Sequence, residues 1–117
     1  MVLKLGHIRP TGSVADNDVV KFVENVTRKT NGQIKIEVYP ASQLGDYTVV
    51  QERVSIGDVD MQIAPLATTL DKAFGISNAP YIVENWEQAR RVFASGSQLI
   101  KAMESRLNDN GIKLLGI

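Results

Sequence analysis

Tyr39-Pro40-Ala41-Ser42-Gln43-Leu44-Gly45-Asp46, continued by Gly57-Asp58-Val59-Asp60-Met61, decides how this chain folds. Leading into Tyr39, residues Ile34, Ile36 and Val38 alternate with Lys35 and Glu37. That period of two marks a strand with one wetter face, as near a sheet edge. Pro40 stops it, because proline has no N–H to give to a ladder. Asp46 is suited to cap a helix through its carboxylate, with Tyr47, Val50 and Val54 facing inward. Gly57 ends that helix. Val59, Met61 and Ile63 alternate again until Pro65.

Working outward, Val2 to Ile8 reads as a strand, Leu3 and Leu5 alternating with Lys4 and Gly6. His7-Ile8-Arg9-Pro10-Thr11-Gly12 is a loop, since Pro10 disfavours helix at Arg9. A helix opened by Ser13 or a neighbour follows, its inward face Val19, Phe22, Val23 and Val26 at helical spacing; Asn31-Gly32 closes it. Beyond Pro65 the pattern is least regular, with a helical turn or two over Leu66 to Lys72 and a proline-interrupted stretch near Asn78 to Val83. Asn85 starts a helix with Gln88 in the capping-box position and Ala89, Val92 and Phe93 inward. Ser95-Gly96-Ser97 breaks it. A last helix carries Leu99, Met103 and Leu107 to Gly111, and Ile112 to Ile117 reads as a final strand. The expected class is α/β, a mostly parallel open sheet with helices on both faces in the order β-α-β-α-β-α-α-β, forming a single domain over 1–117. Ligands of such sheets sit at the carboxyl ends of the strands. Here those ends are His7 to Ser13, Tyr39 to Asp46 and Ala64 to Thr69.

Bulk properties exclude several functions. The chain has 117 residues, 44% apolar and 22% charged, enough for one core. Thirteen basic and thirteen acidic residues cancel, leaving no electrostatic case for nucleic acid or an anionic membrane. No apolar run approaches the ~20 residues that span a bilayer. There is no cysteine, hence no thiolate zinc site or disulfide. One histidine cannot build a multi-histidine metal site, so no metal or cofactor is expected.

No nucleophile elbow, phosphate loop or dinucleotide fingerprint occurs, and the carboxylates are scattered. Asp58 and Asp60 read as a solvent-facing strand entry, not an acid/base pair. No enzyme is expected. His7, at a strand end, reads as a satisfied structural histidine. Arg9 has two open readings: a guanidinium gripping a carboxylate beside a helix start, or an exposed loop arginine. Phe74 and Tyr81 read as core, and Trp86 as packing on the segment before it.

Taken in order, these elements resemble the solute receptors of tripartite ATP-independent periplasmic (TRAP) transporters, of the dicarboxylate-binding type. The likeness runs through Leu3-Lys4-Leu5-Gly6-His7, Thr30-Asn31-Gly32, Ile34 to Pro40, Gln43-Leu44-Gly45-Asp46, Gly57 to Met61, Pro80-Tyr81 and Gly111 to Gly116. It implies a lobe of the type II periplasmic-binding kind, and a receptor of two such lobes that closes on a small carboxylate and delivers it to a TRAP permease. Only the amino-terminal lobe of that receptor is matched, and in part. The strand bearing the clamping arginine, the second lobe and the hinge helix have no counterpart, so weak binding or none is expected of this chain. The family's pocket positions fall on Ile8, Arg9, Tyr47, Ala64, Pro65 and Thr68. Sialic-acid-binding members carry Asn, Asp, and Glu with a nearby Arg at several of these places. Ile8, Tyr47, Pro65 and Thr68 instead imply a smaller or more apolar carboxylate. A periplasmic parent protein is implied, with no signal peptide in this sequence; a homodimer through an incomplete sheet is expected. The alternative is a stand-alone flavodoxin-like or receiver-like interaction domain, or an engineered folding fragment.

Overall fold

The computed structural model describes all of residues 1–117. Its strands are β1 (Val2–His7), β2 (Lys35–Tyr39) and β3 (Met61–Ile63), and its α-helices are α1 (Val14–Lys29), α2 (Tyr47–Ser55), α3 (Trp86–Val92) and α4 (Gln98–Asp109), with a 3₁₀ helix at Lys72–Asn78. The chain falls into two compact units, Met1–Leu66 and Ala67–Ile117.

The first unit is a three-stranded parallel sheet in the order β2-β1-β3. Leu3 pairs with Ile36, Leu5 with Val38 and with Met61. Their side chains share one face, where Leu5, Ile36 and Val19 of α1 form the core with Leu3, Val23, Val26, Val38 and Met61 around them. The opposite face receives α2. A Cβ on Gly6 would stand 3.3 Å from Leu44 Cδ1 and 3.4 Å from Val50 Cγ1, so that approach leaves no room for a larger residue. Gln62 Nε2 donates to the Tyr47 carbonyl at 2.8 Å on the same side. Helices therefore cover both faces, and the α/β class is borne out.

The stretch that defines the fold has a structural reason at each turn. Asp46 caps α2, accepting from Thr48 and Val49 N–H. Asp58 pairs with Arg53 Nε at 2.6 Å, and the same guanidinium donates to the Leu44 carbonyl at 2.8 Å. Asp60 accepts the Lys4 N–H at 2.8 Å, extending the ladder one place ahead of β3. These two carboxylates act as brackets.

In the second unit Asp71 caps the 3₁₀ helix and pairs with Arg106 of α4 at 2.7 Å. Ser97 caps α4. The buried apolar side chains here are Ala67, Phe74, Ile100, Met103 and Leu107.

Several expectations need correction. Phe22 is 40% exposed, because Val19, Val23 and Val26 centre the stripe and Phe22 lies on its flank. In α4 Ile100, not Leu99, completes the buried row with Met103 and Leu107. Trp86 is 81% exposed and Tyr81 95%, so neither packs as core. The Gln88 side chain returns to the N–H of Glu84 instead of Asn85, a capping box displaced by one residue. Residues 112–117 form no strand: their alternation is present, but no strand of this chain pairs with them.

Candidate functional site

Strand β1 ends at His7 and β3 at Ile63, side by side in register. Around these tips lies a groove of about 300 Å³ lined by His7, Ile8, Arg9, Ala15, Val19, Ile63, Ala64 and Pro65. Four of the six expected site residues, Ile8, Arg9, Ala64 and Pro65, meet here. Tyr47 does not. It lines a shallow crease on the α2 side with Gly6, Tyr39, Leu44 and Gln62, where of the groove residues it meets only His7 and Ile8. Thr68 belongs to the second unit and is exposed.

Beneath the groove is a buried polar pair. His7 Nε2 lies 3.0 Å from Asp16 Oδ1, and both side chains are almost fully enclosed. His7 Nδ1 accepts the Arg9 N–H at 3.2 Å. An N–H can only donate, so Nδ1 is the bare nitrogen, and Nε2–H donates to Asp16. The second Asp16 oxygen accepts the Gly12 N–H at 2.8 Å. That backbone bond, joined by His7, holds the Asp16 carboxyl below its ordinary range against the opposing effect of burial. His7 is thus a satisfied histidine, as expected, and its strand-end position also brings it to the groove.

Sequence reasoning missed Asp16. Its signal was present: Ser13-x-x-Asp16 has capping-box spacing. Ser13 Oγ does accept the Asp16 N–H at 3.2 Å. The Asp16 carboxylate, however, turns away to Gly12 and His7, while Ser13 N–H donates to the Pro10 carbonyl at 3.1 Å.

The β2–α2 loop meets this site from outside. Ala41 N–H donates to the Arg9 carbonyl at 2.8 Å and Ser42 N–H to the His7 carbonyl at 3.1 Å. Both residues have left-handed backbone, with φ of 54° and 59°. Arg9 itself is exposed, and its guanidinium takes part in none of the ion pairs, which are His7–Asp16, Lys21–Asp18, Arg53–Asp58 and Arg106–Asp71. The groove is otherwise apolar apart from His7. No three His, Asp or Glu side chains converge as metal ligands would.

A family model described as bacterial extracellular solute-binding protein, family 7 (DctP), matches residues 5–117. The chain belongs to this family. Among relatives of the DctP family, the sialic acid-binding periplasmic protein SiaP of Vibrio cholerae is 28% identical over 96 residues, covering 80% of this chain and 30% of its own length. The C4-dicarboxylate-binding periplasmic protein DctP of Rhodobacter capsulatus is 27% identical over 126 residues, covering 98% of this chain and 38% of its own. A TRAP periplasmic solute-binding protein of Haemophilus influenzae, solved with bound L-gulonate, matches with a TM-score of 0.85 at 25% identity, over 98% of this chain and 38% of its own. The chain spans about a third of the length of the curated relatives it matches. The resemblance read from Tyr39 to Met61 is borne out, and family membership sets aside the receiver-like alternative. No helix is long and apolar enough to cross a membrane.

Proposed function

We propose that this chain is the amino-terminal part of a periplasmic receptor that captures a small organic acid and hands it to the membrane permease of a TRAP transporter. The groove at the tips of β1 and β3 carries this reading. Arg9, whose guanidinium is able to take a carboxylate bidentately, lines it together with Ile8, Ala15, Val19, Ile63, Ala64 and Pro65. That lining suits a carboxylate with a short or apolar body better than a polyhydroxylated one, whose hydroxyls need matching polar groups. Both units are read as parts of one lobe. A single jaw encloses a ligand incompletely, so binding by the 117-residue chain is weak. The acid is bound without being chemically changed.

The test is a ¹⁵N NMR titration of the 117-residue chain with succinate, benzoate and L-gulonate. Succinate or benzoate is expected to move the amides of Ile8, Arg9 and Ala64, and Arg9→Ala to abolish the response. Shifts confined to other surfaces, or none with any of the three acids, overturn the reading. Tyr47 and Thr68 enter on family position alone; unchanged binding in Tyr47→Phe and Thr68→Ala removes them. Self-association of this chain remains an expectation from its incomplete sheet. A light-scattering mass that stays monomeric at high concentration excludes it.

A further inference from the structure

The His7–Asp16 pair touches the loop that bears Arg9 at both ends. His7 Nδ1 takes the Arg9 N–H at 3.2 Å, where the loop leaves β1, and Asp16 Oδ2 takes the Gly12 N–H at 2.8 Å, where it enters α1. The two side chains are joined to each other at 3.0 Å. Between those anchors lie only Pro10 and Thr11. The pair is buried on the α1 side of the sheet tip, and each of its bonds to the loop goes to backbone. What it controls is therefore the path of the chain from Arg9 to Gly12, whatever those side chains are.

We propose that His7 and Asp16 form a positioning clamp that sets the backbone of the Arg9 loop and so presents Arg9 and Ile8 to a ligand in the groove. The ligand-presenting role rests on the receptor reading above. The loop-setting role does not. The clamp works through one tautomer. Asp16, as a carboxylate, only accepts, which keeps the proton on Nε2 and leaves Nδ1 bare for the Arg9 N–H. An amide at position 16 is able to turn its NH₂ toward Nε2. The imidazole proton then moves to Nδ1, where it opposes the Arg9 N–H donor to donor.

Three variants separate this from general fold stabilisation. Asp16→Asn is expected to protonate Nδ1 in the imidazole ¹⁵N spectrum and to speed hydrogen exchange at the Arg9 amide by roughly tenfold, the equivalent of one ordinary hydrogen bond. His7→Gln keeps a donor at the Nε2 position but loses the acceptor, and is expected to release Arg9 in the same way. His7→Asn keeps an acceptor at the Nδ1 position and is expected to retain Arg9 protection while losing the link to Asp16. It also serves as the control if Asp16→Asn does not fold. Succinate or benzoate binding, whichever the parent chain shows, is expected to follow Arg9 protection and not melting temperature. Equal Arg9 exchange in His7→Gln and His7→Asn overturns the clamp, as does binding that tracks melting temperature alone. If the unmutated chain binds no acid, the receptor reading fails and the clamp is judged on Arg9 and Gly12 exchange.

Discussion

Gly45 has φ of +120°, a conformation nearly closed to residues with a Cβ, and an added Cβ would lie 3.2 Å from Val49 Cγ1. Gly45→Ala is therefore expected to lower stability by about 1–3 kcal/mol, read from the urea midpoint, since backbone strain and a crowded helix start act together. An unchanged midpoint removes this account of why glycine ends the Gln43-Leu44-Gly45 run. At this scale the caps were legible: Ser13, Asp46 and Asn85 each show a short polar side chain ahead of an apolar stripe, and each caps its helix. The direction of a side chain on a flank was not. Phe22 and Trp86 are large and apolar, so patterning alone turns them inward, yet neither lies at the centre of a packed face. Asp16 was overlooked because its partners, Gly12 N–H and His7, come together only when β1 and α1 are docked.

Among the elements, α4 offers the cleanest test of cap against core. Ser97→Ala removes the acceptor for the Ile100 N–H and is expected to cost about 1 kcal/mol. Leu107→Ala, at a side chain almost wholly enclosed, is expected to cost about 2–5 kcal/mol, because a cavity adds to the lost burial. Calorimetry or urea titration of the two variants checks the order; a cap loss as large as the core loss contradicts the packing described for the second unit. Strand assignment has a limit that helices do not share. A helix bonds to itself, so α1 and α4 are readable from local spacing. A strand exists only beside a partner. Lys35 to Tyr39 found one in β1, and Ile112 to Ile117, with a similar alternation, found none. The same reasoning divides the candidate site. Ile8, Arg9, Ala64 and Pro65 come together because β1 and β3 are paired in register, whereas Tyr47 follows α2 to the other side and shares a crease with Ile8 alone of the four.

Across the whole molecule, stability is coupled to acid. Three carboxyls are held below the ordinary 3.8: Asp16 chiefly by the Gly12 N–H, Asp46 by the Thr48 hydroxyl and Val49 N–H, and Asp71 by the Ala73 N–H and Arg106. Each is more easily protonated in the unfolded chain than in the folded one. Their contribution is thus complete above the ordinary carboxylate pKa and is lost as pH falls through the depressed folded values. These three groups are expected to make the melting temperature drop on acidification below about 4. Asp46→Asn, which keeps a capping oxygen, is expected to shallow that drop. A melting temperature that rises with acid excludes these groups as its cause.

The central place of β1 has a consequence for how the chain comes into being. Val2–His7 precedes both of its neighbours along the chain, β2 on one side and β3 on the other. A growing chain therefore carries its future middle strand unpaired until Tyr39 emerges, and half-paired until Ile63 does. Helix α1 closes its own bonds long before that. Pulse-labelled refolding is expected to protect α1 amides ahead of Leu5, and an arrested nascent chain ending before Met61 to hold β1 on one side only.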